Sequence, residues 1–234
     1  MNDEIKLENE SNSQRNPVDS GAGQPAPVDS SQVSEDQALA TLQRAEVAAS
    51  ELASLARNPA AIKSRKVVLA LVQHARTPRH ISIPLLRRMF TFDLMQVTLA
   101  PAVAADLKRV AEDQILVRLQ SLSVGEKISL ARRASGRVAA GLLPDADSRV
   151  ITAALENSRL TEVSVAAALA KVDALQELFN IVSTHPKWSE RREVQIALLR
   201  SDKTPINRAR ELAANFRREF LEEIVPAARQ SELL

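Results

Sequence analysis

One pattern returns along this chain at a fixed interval, and it limits what the chain can fold into. The stretch RNPAAIKSRKVVLALVQHARTPRH, residues 57–80, comes back as THPKWSERREVQIALLRSDKTPIN, residues 184–207. Pro59 matches Pro186, Val67 matches Val194, Ala70-Leu71 matches Ala197-Leu198 and Thr77-Pro78 matches Thr204-Pro205, each pair 127 positions apart without a gap. A third copy lies between them in PDADSRVITAALENSRLTEVS. There Val150, Ala153 and Arg159 stand 83 positions after Val67, Ala70 and Arg76, and 44 before Val194, Ala197 and Lys203. A unit of about 42 residues accounts for all three spacings, and it predicts a fourth unit near residues 100–121.

The composition says what the units are made of. Hydrophobic residues make up 45% of the chain but aromatics only 3%, with no Tyr and one Trp. Ala and straight-chain residues lose little freedom in a helix, whereas strands favour aromatic and β-branched side chains. With five Gly in 234 residues there is little material for tight hairpins. The expected class is all-α.

Helix punctuation supports this. Ser34 with Gln37 three residues later predicts a capping box, and Ser123 with Glu126 predicts another. Leu39, Leu42, Ala45, Ala49, Leu52 and Leu55 recur at spacings of three and four, which predicts one amphipathic helix ending near Arg57. Asn58-Pro59, Thr77-Pro78 and Thr204-Pro205 each set a capping side chain before a Pro in the first helical turn. Pro84 predicts a kink or restart. Pro101 is expected to open the longest helix, and a last helix runs from about Pro205 until Pro226 stops it. Residues 1–33, rich in Ser, Asn, Asp, Pro and Gly, are expected to be a disordered acidic tail, with a helical domain over 34–234.

Helix pairs repeating every 40 to 47 residues fall in the range of HEAT and armadillo units. Through SRKVVLALVQHARTP, SRVITAALENSRLT and RREVQIALLRSDKTP the chain resembles bacterial HEAT-like or leucine-rich-repeat-variant α-solenoids. The resemblance implies a solenoid of about four units that acts by interaction rather than catalysis.

The residues themselves offer little chemistry. There is no Cys, so thiolate catalysis and cysteine metal sites are excluded. His74, His80 and His185 lack metal-ligand spacing and read as turn or cap residues. Neither a phosphate-binding Gly loop nor a GxSxG elbow occurs, and no cofactor is expected. The start, MNDEIKLENE, lacks the pattern of a signal peptide, and no apolar run reaches the roughly 18 residues that span a bilayer. A cytoplasmic protein without a membrane role is the expectation.

Charge is the informative polar feature. Residues 1–36 carry eight acids against Lys6 and Arg15, so the +2 net charge conceals a basic body. Arg65 matches Arg192 and Lys66 matches Arg149 in the repeat register, and Arg191 adjoins them. Stacked units would align these cations, so Arg65, Lys66, Arg149, Arg191 and Arg192 are the candidate interaction surface. Trp188 joins them as an aromatic anchor, the alternative being a core residue over a turn. The leading expectation is a scaffold with a protein partner. Duplex nucleic-acid binding through the cations is the alternative, since phosphate contacts need only Arg and Lys. A third reading makes the acidic tail an intramolecular competitor for the basic surface. Phe90, Phe92, Leu94 and Met95 in the segment before Pro101 read as core filling rather than a partner groove.

Val67, Val150 and Val194 are expected to begin a buried stripe, with Ala70, Ala153 and Ala197 one turn later, where small side chains let helices approach. Replacing Ala153 or Ala197 with Leu is therefore expected to destabilise by roughly 1–3 kcal/mol through overpacking. The melting temperature of each variant checks this, and an unchanged value would place that residue outside the core.

Overall fold

A computed structural model describes residues 33–233; residues 1–32 of the expected tail lie outside the described residues, and its last residue, Val33, packs on the helical core. Every regular element among them is helical. The first five helices are α1 (Glu35–Gln43), α2 (Ala49–Arg57), α3 (Pro59–Lys63), α4 (Arg65–Gln73) and α5 (Arg79–Arg88). Next come α6 (Thr91–Leu99), α7 (Ala105–Arg118), α8 (Val124–Arg133), α9 (Gly136–Gly141) and α10 (Ser148–Leu155), with a single 3₁₀ turn at Leu119–Ser121. The last six are α11 (Glu162–Leu169), α12 (Gln176–Thr184), α13 (Arg192–Arg200), α14 (Ile206–Ala213), α15 (Arg218–Ile224) and α16 (Ala227–Leu233).

The substantial helix contacts all join elements no more than three steps apart along the chain. α7, α9, α11, α13 and α15 pack in succession, each on the next, and α8, α10 and α12 do likewise. One apolar core runs from Val72 to Val225, and a smaller one gathers Ala38 to Leu71, with Leu85 packed against both.

The three matched sequence windows make matched bonds. α4, α10 and α13 begin at residues 65, 148 and 192, at the same intervals as the sequence copies. Val67, Val150 and Val194 are all buried near their starts, as the spacing predicts. At their ends His74, Asn157 and Ser201 occupy one position. In each case the side chain accepts the N–H two residues on, from Arg76 (3.3 Å), Arg159 (2.8 Å) and Lys203 (3.2 Å). In each case the residue three further on returns its N–H to the turn carbonyl: Thr77 to His74, Leu160 to Asn157 and Thr204 to Ser201. The outer windows agree further. Asn58 accepts from Ala60 and Ala61, and His185 Nδ1 accepts from Lys187 and Trp188 at the same register.

Thr77 and Thr204 are not the caps that the sequence suggests. Each hydroxyl is buried and donates at 2.6 Å to a carbonyl six residues back, Leu71 and Leu198. The prolines after them are the N-cap residues of α5 and α14 rather than first-turn residues, while Asn58-Pro59 follows the expected arrangement. Both expected capping boxes are present.

Other expectations give way. The helix expected over 34–57 breaks at 44–48, because the break turns Val47 into the core; Arg44 pairs with Glu51 across it at 2.6 Å. α5 continues through Pro84, whose missing N–H would have faced the exposed residue His80, so little is lost to water there. The longest helix starts at Ala105, with Pro101 in the preceding turn. The helix expected from Pro205 to Val225 is two, α14 and α15, and α16 follows Pro226. Residues 100–121 hold α7 and the 3₁₀ turn.

Among the described residues no buried side-chain nitrogen or oxygen lacks a partner. Asn157, 1% exposed, also serves the backbone, donating to the α8-end carbonyls of Ala131 (2.6 Å) and Ala134 (3.1 Å). Gly136 is needed beside the same turn, since a Cβ there would run into the Arg159 carbonyl. Ala153 is buried as expected, but Ala197 is half-buried, so only Ala153→Leu retains the expected overpacking cost.

Asn157→Ala is expected to destabilise by roughly 2–3 kcal/mol, because two buried carbonyls lose their donor. His74→Ala, at the matched but half-buried position, is expected to cost about 1 kcal/mol or less. Urea unfolding followed by Trp188 fluorescence measures both, and equal losses would contradict the assignment.

Candidate functional site

The five candidate cations stand at helix starts, where side chains splay outward. Arg65 opens α4 and forms a two-pronged bond to Asp93 on α6, Nε to Oδ2 at 2.5 Å and Nη2 to Oδ1 at 3.0 Å. Asp93 is 4% exposed, so the guanidinium compensates a carboxylate that would otherwise lie buried without a counter-charge. The Arg65 guanidinium also sits 4.7 Å from the centre of the Phe90 ring. Lys66 meets Glu35 of α1 at 3.4 Å. Arg149 binds the N-cap Asp147 at 2.7 Å, and its hydrogen bonds hold that carboxyl down at about 2.

Arg191 is the N-cap residue of α13, is exposed, and pairs with no acid among the described residues. Arg192 lies 5.4 Å from the rings of both Phe216 and Phe220, which stack at 5.6 Å between centroids. It therefore ties α13 to α15. Four of the five cations thus have a local partner, and displacing it would oppose binding to an outside anion.

Trp188 takes the core role. It is 1% exposed and its indole N–H donates to the Leu155 carbonyl at 2.8 Å, sealing the end of α10. Further cations do similar work. Arg118 donates to the carbonyls of Met89 and Arg87, Arg208 to Ser183, Lys203 to Val172 and Ala174, and Arg229 to Ser201 and Thr204. Each brings a donor to carbonyls at a helix end or turn.

Two grooves stand out. The larger, about 660 Å³, lies over α11 and α13 and is lined by Val163, Ala166, Ala167, Ala170, Ile196 and Ala197 among others. Val163 is 72% exposed, and Val172, just past the end of α11, is 97% exposed. The signal was present in EVSVAAAL, whose apolar residues circle α11 and leave no polar face for water. The smaller groove, about 430 Å³, is lined by Ile62, Lys63, Val68, Leu85, Arg88 and Phe90 among others. Leu94 and Met95 are core residues as expected, but Phe90 is 64% exposed and belongs to this groove.

Among the described residues no group of three or more His, Cys, Asp or Glu is placed to hold a metal ion. No described helix is long and apolar enough to cross a membrane. Comparison of the chain with family models, curated proteins and solved structures finds no match.

His185 gives the site region a pH dependence. Its Nδ1 accepts the amides of Lys187 and Trp188, a role open only to the neutral ring. Burial pushes its pKa below the usual 6.5, nearby Lys187 adds to this, and Glu156 opposes it. The folded state therefore binds fewer protons than the unfolded chain near pH 6, so stability is full above 6.5 and declines as pH falls through that value. His185→Asn, copying Asn58 at the matched position, is expected to keep the cap and flatten this decline. Thermal melting between about pH 8 and pH 5 reads it, and an equally steep decline in the variant would contradict it.

Proposed function

We propose that the chain is a non-enzymatic, cytoplasmic interaction scaffold, an α-solenoid of HEAT-like units that presents a groove to a protein partner. The observation that carries this reading is the open apolar surface over α11 and α13, where Val163 and Val172 stand in water beside a floor of small side chains. Small residues let a partner's backbone or helix approach closely, and exposed aliphatic side chains gain by being covered. The succession of helices packed each on the next, with matched bonds at the matched turns, supports the solenoid reading.

Duplex nucleic acid is the second reading, and Arg191 with the basic body speaks for it. Against it, Arg65, Lys66 and Arg149 face acids that would have to give way to phosphates. Their ion pairs would exchange for phosphate contacts with little net gain in positive potential.

A photoreactive residue at Ala167 in the full chain is expected to form a protein adduct in cells, and Val163→Asp with Val172→Asp is expected to remove it. Both valines are exposed, so the fold should tolerate the change. Labelled duplex DNA is expected to show no steeply salt-dependent binding in fluorescence anisotropy. Tight duplex binding that falls with salt and is lost in Arg191→Ala plus Arg192→Ala would overturn the scaffold reading.

A further inference from the structure

We propose that the groove formed by α3, α4, α5 and the start of α6 is a docking site for the chain's own acidic segment, residues 17–30, which carries Pro-Val-Asp-Ser twice. The copies stand at 17–20 and 27–30, ten residues apart. Each combines two compact apolar groups with a carboxylate, and that is the chemistry the groove asks for.

The groove offers apolar surface from Ile62, Val68, Leu85 and the 64%-exposed Phe90. Its one lining acid, Asp93, is already neutralised by Arg65. Lys63 and Arg88 also line it, are exposed, and pair with no acid among the described residues. An occupant with valine and proline for the floor and a carboxylate for the rim matches this arrangement. Residues 1–32 hold six acids against Lys6 and Arg15, so the attraction between segment and groove extends beyond one contact.

Position adds a second reason. The described chain begins at Val33, which packs on the small core to which Leu85 also belongs. α1 packs on α3 and α4, two walls of the groove, and Glu35 pairs with Lys66, the neighbour of Arg65. Helices in contact lie about 8–10 Å apart, so the groove is within roughly 20 Å of the point where the segment joins. The distal copy is 13 residues from Val33, close enough to reach up to about 40 Å, and the proximal copy, three residues away, up to about 10 Å. Tethering supplies a high local concentration, so one short motif suffices for occupancy. An outside protein bearing an acidic Pro-Val-type segment would have to displace it.

The chain has no Cys and five Phe, which makes the test direct. A nitroxide is attached at Gly23→Cys in the full chain, and fluorine signals from fluoro-phenylalanine are read, with Phe90 assigned through Phe90→Leu. The label is expected to broaden Phe90 several-fold more than Phe179, which is buried on α12. The broadening is expected to disappear in Val18→Ser/Asp19→Lys/Val28→Ser/Asp29→Lys and in Lys63→Glu/Arg88→Glu, with Trp188 fluorescence confirming that both stay folded. Uniform broadening, or selective broadening that survives those substitutions, would overturn the proposal. So would broadening of a fluorinated, unlabelled chain by a labelled, non-fluorinated one, since the occupant would then be a second copy.

Discussion

Open helix ends are the constraint on which the rest of this structure depends. The described helices are five to fourteen residues long, and every α-helix leaves four carbonyls at its end without an intrahelical partner. A chain that ends helices so often must find donors for them, and water cannot reach those in the core. Asn157 serves the end of α8, Trp188 the end of α10, and Arg229 the turn after α13. Each donor comes from some 23 to 33 residues further along, one helix pair later. These three helix ends are thereby tied to elements that follow them.

The same bonds change the meaning of the basic residues. Arg118, Lys203, Arg208 and Arg229 have their cationic groups against protein carbonyls, and Arg65 and Arg192 hold neighbouring helices through Asp93 and stacked Phe rings. A basic body is then partly the cost of short helices. The two open grooves are each lined by both apolar and charged side chains, and the larger lies where α11 has apolar groups on every side.

Local chemistry was legible in the sequence. The capping boxes at Ser34 and Ser123 depend on residues three positions apart, and the structure has them; Val67, Val150 and Val194 are buried as expected, while Ala70 and Ala197 one turn later are half-buried. α4, α10 and α13 begin 83 and 44 residues apart, the same intervals as the matched sequence windows. What could not be read depends on distant partners. Nothing near Val47 says that a break there would place it in the core. Nothing near Thr77 or Thr204 distinguishes a cap from a hydroxyl that turns back to seal the preceding helix. The local sequence around Trp188 fits either a core or a surface role, and only Leu155, 33 residues away, decides it; Phe90 stands among apolar neighbours that are core, yet is itself exposed.

Native-state hydrogen exchange on the full chain, with and without Asn157→Ala, tests the central claim most directly. If these helix ends are held by the elements that follow them, the substitution speeds exchange at the end of α8 and the start of α11, and leaves α4 unchanged. Acceleration spread evenly over the whole chain, or confined to residue 157 and its immediate neighbours, would contradict it.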